Sequence, residues 1–126
     1  MILGIGTDIV DVVEFEGRME RGRLPRVFSE AELAYADEKP KRRMQVLAAR
    51  WAAKEAFAKA LGTGIRAEWN LAEIEVVNGE GGKPELRLGP SVRGVLPEGA
   101  RVLVSLSHTK TYATAVVIVE SGENTD

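Results

Sequence analysis

Two acidic residues and a group of basic ones carry the chemistry this chain can do. Asp8 follows the glycine-rich start Gly4-Ile5-Gly6-Thr7, and Glu55 sits in the run Arg50-Trp51-Ala52-Ala53-Lys54-Glu55-Ala56-Phe57-Ala58-Lys59. Each has a plain reading by itself. A carboxylate behind such glycines can cap a turn, and Glu55 lies four residues before Lys59, the favourable order for a helical ion pair. Taken together they read differently. Magnesium binds through one or two carboxylates and completes its octahedron with phosphate oxygens and water. Two carboxylates remote in sequence, with Arg50, Lys54, Lys59 and the cluster Lys41-Arg42-Arg43 as phosphate candidates, fit a magnesium–diphosphate site. The cation and the lysines would neutralise a phosphate leaving group, the main need in such chemistry. His108 is the single histidine; it is read as an exposed loop residue whose neighbours Ser107, Thr109 and Lys110 add donors for an anion.

Other chemistries are excluded. The chain has no cysteine, so disulfides, thiolate catalysis and cysteine metal sites are ruled out. It has no GxxxxGK[ST] loop, and Gly4-Ile5-Gly6 lacks the third glycine of a dinucleotide fingerprint. A net charge of -2 argues against general nucleic-acid binding. That charge is unevenly spread: residues 18–54 hold ten Lys/Arg against five Asp/Glu, and the remainder seven against fourteen. A basic segment in an acidic chain suits a phosphate or an acidic protein, or is simply a solvated surface. Met1-Ile2-Leu3 lacks the basic flank of a signal peptide, and no apolar run is long enough to span a membrane.

The elements that must position these residues belong to one α+β domain. At 126 residues with 44% hydrophobic composition the chain can bury a real core. Residues 2–13 read as a first strand, intact or bulged at the glycines. A polar helix over 14–23 follows, interrupted by Pro25. Ser29 and Glu32 form a capping box for a second helix that ends at Pro40. The long helix spans about 41–61, with Met44, Leu47, Trp51 and Ala58 on one apolar face and Gly62 and Gly64 as stops. Strands are expected over 72–77 and 85–88 around the turn 78–84, a short helix over 90–96, and strands over 101–106 and 112–119. The domain is expected to occupy 1–120, with 121–126 as a frayed tail.

Several segments together resemble the holo-acyl-carrier-protein synthase family, the small single-domain branch of the phosphopantetheinyl transferases. They are Gly4-Ile5-Gly6-Thr7-Asp8-Ile9-Val10, Ala52 to Ile65 with its Lys54-Glu55 and Gly62-Thr63-Gly64, Trp69 with Glu73-Ile74-Glu75-Val76, Gly82-Lys83-Pro84, and Ser105 to Thr109 with Tyr112-Ala113. They stand in family order from Gly4 to about Glu120. The resemblance implies a fold with a mostly antiparallel sheet packed on the long helix. It implies transfer of 4'-phosphopantetheine from coenzyme A to a serine of apo acyl carrier protein in the cytoplasm, serving fatty acid biosynthesis. By the same resemblance Asp8 and Glu55 would ligate Mg²⁺, and Lys59 would contact the transferred phosphate. Arg50, His108, Lys41 and Arg42 would meet the nucleotide and phosphates, with Thr109, Gly62, Thr63 and Gly64 close by. It further implies a homotrimer with sites between subunits. The chain departs from the pattern at Glu14, where many relatives carry an arginine that helps dock the acidic carrier; Arg18, Arg21, Arg23 and Arg26 offer a basic surface instead. The rival readings are a magnesium-dependent transferase on another diphosphate, and a non-catalytic module that binds coenzyme A or carrier protein.

Overall fold

The computed structural model describes residues 1–24 and 26–122. The strand β1 (Ile2–Asp11) leads into helix α1 (Val12–Glu20), followed by α2 (Glu30–Asp37) and the long α3 (Arg43–Ala60). The hairpin β2 (Ile74–Asn78) and β3 (Pro84–Leu88), a single turn of helix α4 (Pro90–Arg93), and the hairpin β4 (Arg101–His108) and β5 (Tyr112–Glu120) complete the chain. Short 3-10 turns lie at Pro40–Arg42, Leu71–Glu73 and Glu80–Gly82.

The α+β class and the packing of antiparallel sheet on a long helix are as expected. The strands form two sheets rather than one: a three-stranded sheet ordered β1-β5-β4, and the separate β2-β3 hairpin. Helix α3 lies across one face of the three-stranded sheet. The strand period of two puts Gly4, Gly6, Asp8 and Val10 on that face with Ala113, Ala115, Val117 and Val119. The opposite, odd-numbered face of β1 is apolar and open, with Ile5 64% and Ile9 65% exposed.

The glycines explain how closely strand and helix approach. A Cβ on Gly4 would overlap the Ala60 carbonyl oxygen, and one on Gly6 the Ala56 carbonyl oxygen and the Ala60 nitrogen. They are packing residues, and the strand continues through them; its one register shift falls between Ile2 and Gly4. Helix α3 matches this with Ala52, Ala53 and Ala56, all fully buried.

Three element readings change. Helix α1 begins at Val12 because Asp11 caps it, accepting from the Glu14 nitrogen at 3.0 Å. Helix α3 is buried nearly all round, not along one stripe, because α2 and the β2-β3 hairpin cover the side away from the main sheet. His108 ends β4 instead of sitting in a loop. The Ser29–Glu32 capping box is present as expected. Pro25 and the tail beyond Gly122 lie outside the described residues.

Candidate active site

The close β1–α3 contact places Asp8 against one face of α3, where Glu55 and Lys59 stand one turn apart. Lys59 Nζ donates to Asp8 Oδ1 at 2.9 Å and to the Thr7 carbonyl at 3.2 Å. The helical Glu55–Lys59 ion pair is therefore replaced by a bond across elements: tertiary contact with β1 outcompetes the spacing rule. A cavity of about 190 Å³ opens beside this group, lined by Asp8, Asp11, Glu14, Arg18, Trp51 and Glu55 among others. Arg18 stacks its guanidinium over the Trp51 ring, 5.6 Å from the centroid.

The electrostatics of the cavity centre on Glu55. Burial pushes its carboxyl above the ordinary carboxylate value, and the neighbouring Asp8 charge pushes the same way; Lys59 and Arg18 act against both. Two carboxylates crowded on one cavity suit a divalent cation, whose charge would remove their mutual repulsion. Among the described residues no cluster of three or more metal-ligating side chains occurs, so a cation here would draw its remaining ligands from substrate and water.

The other expected site residues fall in separate places. Arg50 is buried on a different side of α3: its Nη2 donates to Asn78 Oδ1 at 2.8 Å and its guanidinium lies 4.4 Å from the Tyr35 ring centroid. Lys41 and Arg42 are exposed in the turn before α3 and line a cavity of about 420 Å³ with Glu38, Lys39 and Pro40. Gly62 and Gly64 follow α3 with left-handed φ of 80° and 70°, while Thr63 donates to the Gly64 carbonyl and lines a third cavity with Leu61, Arg66 and Trp69. His108 pairs through Ala113 of β5 with Val10 of β1, so within one chain β5 separates it from the Asp8 strand. Thr109 closes the β4–β5 turn: its hydroxyl accepts from the Thr111 and Tyr112 nitrogens.

Lys54 is corrected outright as a phosphate candidate. It is fully buried and donates to both oxygens of Glu32 at 2.9 and 3.2 Å, to the Leu71 carbonyl and to the Ile74 carbonyl. Glu32 in turn accepts from the nitrogens of Ser29 and Val76. This satisfied ion pair ties α2, α3 and β2 together, and its ammonium has no donor left for a ligand. Asp11 and Arg18 were not expected in the cavity; the N-cap spacing before Glu14 was the signal for Asp11, and nothing local signalled Arg18.

Comparison with known proteins identifies the family and the fold. Residues 4–117 match the family model described as the 4'-phosphopantetheinyl transferase superfamily. A holo-[acyl-carrier-protein] synthase of Gluconobacter oxydans is 47% identical over 96% of this chain and 83% of that protein. One from Bacillus velezensis is 44% identical over 95% of this chain and 97% of its own length. Among solved structures, the Neisseria meningitidis synthase superposes with a TM-score of 0.84 at 36% identity, covering 96% of this chain and all of that one. A Bacillus anthracis synthase in complex with CoA (3',5'-ADP) gives 0.79 at 38% identity, covering 96% and 98%.

Proposed function

Because the chain belongs to the 4'-phosphopantetheinyl transferase superfamily, among its holo-[acyl-carrier-protein] synthases, we propose that this enzyme transfers the 4'-phosphopantetheine of coenzyme A to a serine hydroxyl of apo acyl carrier protein. The observation that carries the reading is the Asp8–Lys59 pair on the edge of the cavity that Asp8 shares with Glu55. With Glu55 it brings two carboxylates and an exposed cation to one point, which a diphosphate reaction needs.

Asp8 and Glu55 would hold Mg²⁺, which when bound neutralises diphosphate oxygens and stabilises the charge that develops on the leaving group. Lys59 is half exposed and held by one carboxylate and one carbonyl, so it is free to turn onto the phosphate being transferred. The serine oxygen forms a bond to the phosphorus that bears pantetheine. The bond from that phosphorus to the bridging oxygen breaks, and adenosine 3',5'-bisphosphate leaves with the electron pair. The serine proton passes to a base in the cavity. Glu55 would accept it directly or through a water.

The remaining residues fit the same substrate. Arg50, Lys41 and Arg42 would serve the nucleotide end of coenzyme A, with Gly62, Thr63 and Gly64 beside it. The exposed Ile5, Ile9, Leu103 and Val116 on the outer sheet face support packing against further copies in a homotrimer. In that assembly His108 and Thr109 of one chain reach the Asp8–Glu55 site of another. Exposed Arg21, Arg23 and Arg26, with Arg18 at the cavity, would dock the acidic carrier where Glu14 replaces the arginine of many relatives. The reading places the reaction in the cytoplasm, in fatty acid biosynthesis; none of the described helices is long and apolar enough to cross a membrane. Mass spectrometry of an apo carrier incubated with the enzyme, coenzyme A and Mg²⁺ tests the assignment.

A further inference from the structure

Arg50 is a buried cation left incomplete. It is 4% exposed, yet among the described residues it makes no ion pair, and its Nε finds no hydrogen-bond partner. Glu32, the acid whose charge acts most on it, already has both oxygens engaged by Lys54 and by the Ser29 and Val76 nitrogens. A buried guanidinium with an unpaired N–H is costly, and proteins rarely leave one without reason. The neighbouring Lys54 has every donor satisfied, so the deficit is local to Arg50.

Two residues hold that guanidinium in place. Asn78 accepts from Nη2 at 2.8 Å and is itself anchored, donating to the Gly82 carbonyl at 3.0 Å in the β2–β3 turn. Tyr35 offers its ring face 4.4 Å away. The same ring attracts Lys39, whose Nζ lies 5.2 Å from the centroid and which lines the cavity of Lys41 and Arg42. Tyr35 thus gathers two like charges around one ring, an arrangement that an anion relieves. Arg50 projects from a different side of α3 than Lys59, nine residues on. Coenzyme A likewise carries a diphosphate and, apart from it, a single ribose phosphate.

We infer that Tyr35 and Asn78 are positioning residues that preset Arg50 to receive the ribose phosphate of coenzyme A. The inference rests on the proposed transfer reaction and goes beyond it in naming what aims the arginine. The test measures transfer kinetics with coenzyme A and with dephospho-coenzyme A, which lacks that phosphate. Tyr35→Leu and Asn78→Ala each raise the KM for coenzyme A by about tenfold. Their kcat, and their KM for dephospho-coenzyme A, stay within about twofold of wild type, because preorganisation of Arg50 matters only when the phosphate is present. The conservative Tyr35→Phe keeps the ring and rescues the coenzyme A KM. Equal losses on both donors would mean a merely structural role, and unchanged kinetics in both variants would equally overturn the inference. Calorimetry with adenosine 3',5'-bisphosphate against 5'-AMP separates this from the transfer reading. Discrimination that is present in wild type and lost in Tyr35→Leu supports the clamp even if no transfer occurs. Discrimination unaffected by the substitution defeats the clamp and leaves the transfer reading standing.

Discussion

Lys59 Nζ lies 2.9 Å from Asp8 Oδ1, a pairing across 51 residues of sequence. The bond exists because glycines at 4 and 6 let β1 rest on the backbone of α3. It keeps a cation at the lip of the Glu55 cavity without burying it, since the Lys59 side chain remains 53% exposed. Such a pair contributes little to stability, roughly 1 kcal/mol or less. Lys59→Met therefore leaves the melting temperature nearly unchanged. Turnover falls by about 10²- to 10³-fold, the usual loss when one group stabilising transition-state charge is removed. A calorimetric scan and a steady-state assay on the same preparation check both halves. A large stability loss with intact kcat would assign Lys59 to the scaffold.

Glu55→Gln has opposite effects on folding and function. The folded-state pKa of Glu55 is raised above its ordinary value of 4.5, by burial first and the Asp8 charge second. A raised carboxyl pKa means the native state binds the proton more tightly than the unfolded chain. The ionised group therefore penalises the native state fully above its folded pKa, and the penalty fades as pH falls from there towards 4.5. Without divalent cations, Glu55→Gln should melt higher than wild type at pH 7, and the gap should close on acidification. The same substitution should abolish transfer and the Mg²⁺-induced rise in melting temperature expected of the wild type. A variant that melts lower at pH 7 and still responds to Mg²⁺ would remove Glu55 from this role.

Lys54 gives the contrasting case. Its ammonium is enclosed by Glu32 and two carbonyls, so Lys54→Ala leaves a buried carboxylate without its partner and should cost about 3–5 kcal/mol. Urea unfolding reads this directly. A cost under about 1 kcal/mol with a raised KM for coenzyme A would return Lys54 to the phosphate contacts.

The outer sheet face is tested by assembly. Wild type is expected to sediment as a trimer. Ile5→Glu combined with Ile9→Glu, both on exposed positions of β1, should give a folded monomer without transfer activity, because His108 then has no neighbouring site to enter. A monomeric wild type, or an active monomer, would contradict the intersubunit site.

Asp8, Glu55 and Lys59 stand out in the sequence as candidates by residue type, and the last two also by their helical spacing. The Ser29–Glu32 box and the turn from Asn78 to Pro84 were legible from residue type and spacing. What spacing cannot give is the partner chosen across elements. Lys59 had a helical acid four residues away and took Asp8 instead, a choice fixed by strand–helix distance. Glu32 was read as half of a cap, and the structure adds Lys54 behind it. Arg50 and Lys54 read from the sequence as phosphate candidates on one helix, and their burial comes from α2 and the β2-β3 hairpin, which cover them. Periodicity describes the faces of one helix and says nothing about how many neighbours enclose it.

The central claim is phosphopantetheine transfer, and intact-protein mass spectrometry tests it most directly. Apo acyl carrier protein incubated with the enzyme, coenzyme A and Mg²⁺ should gain the mass of one phosphopantetheinyl group on its serine, with adenosine 3',5'-bisphosphate released in equal amount. No adduct, on a carrier that a control transferase modifies in parallel, would contradict the account.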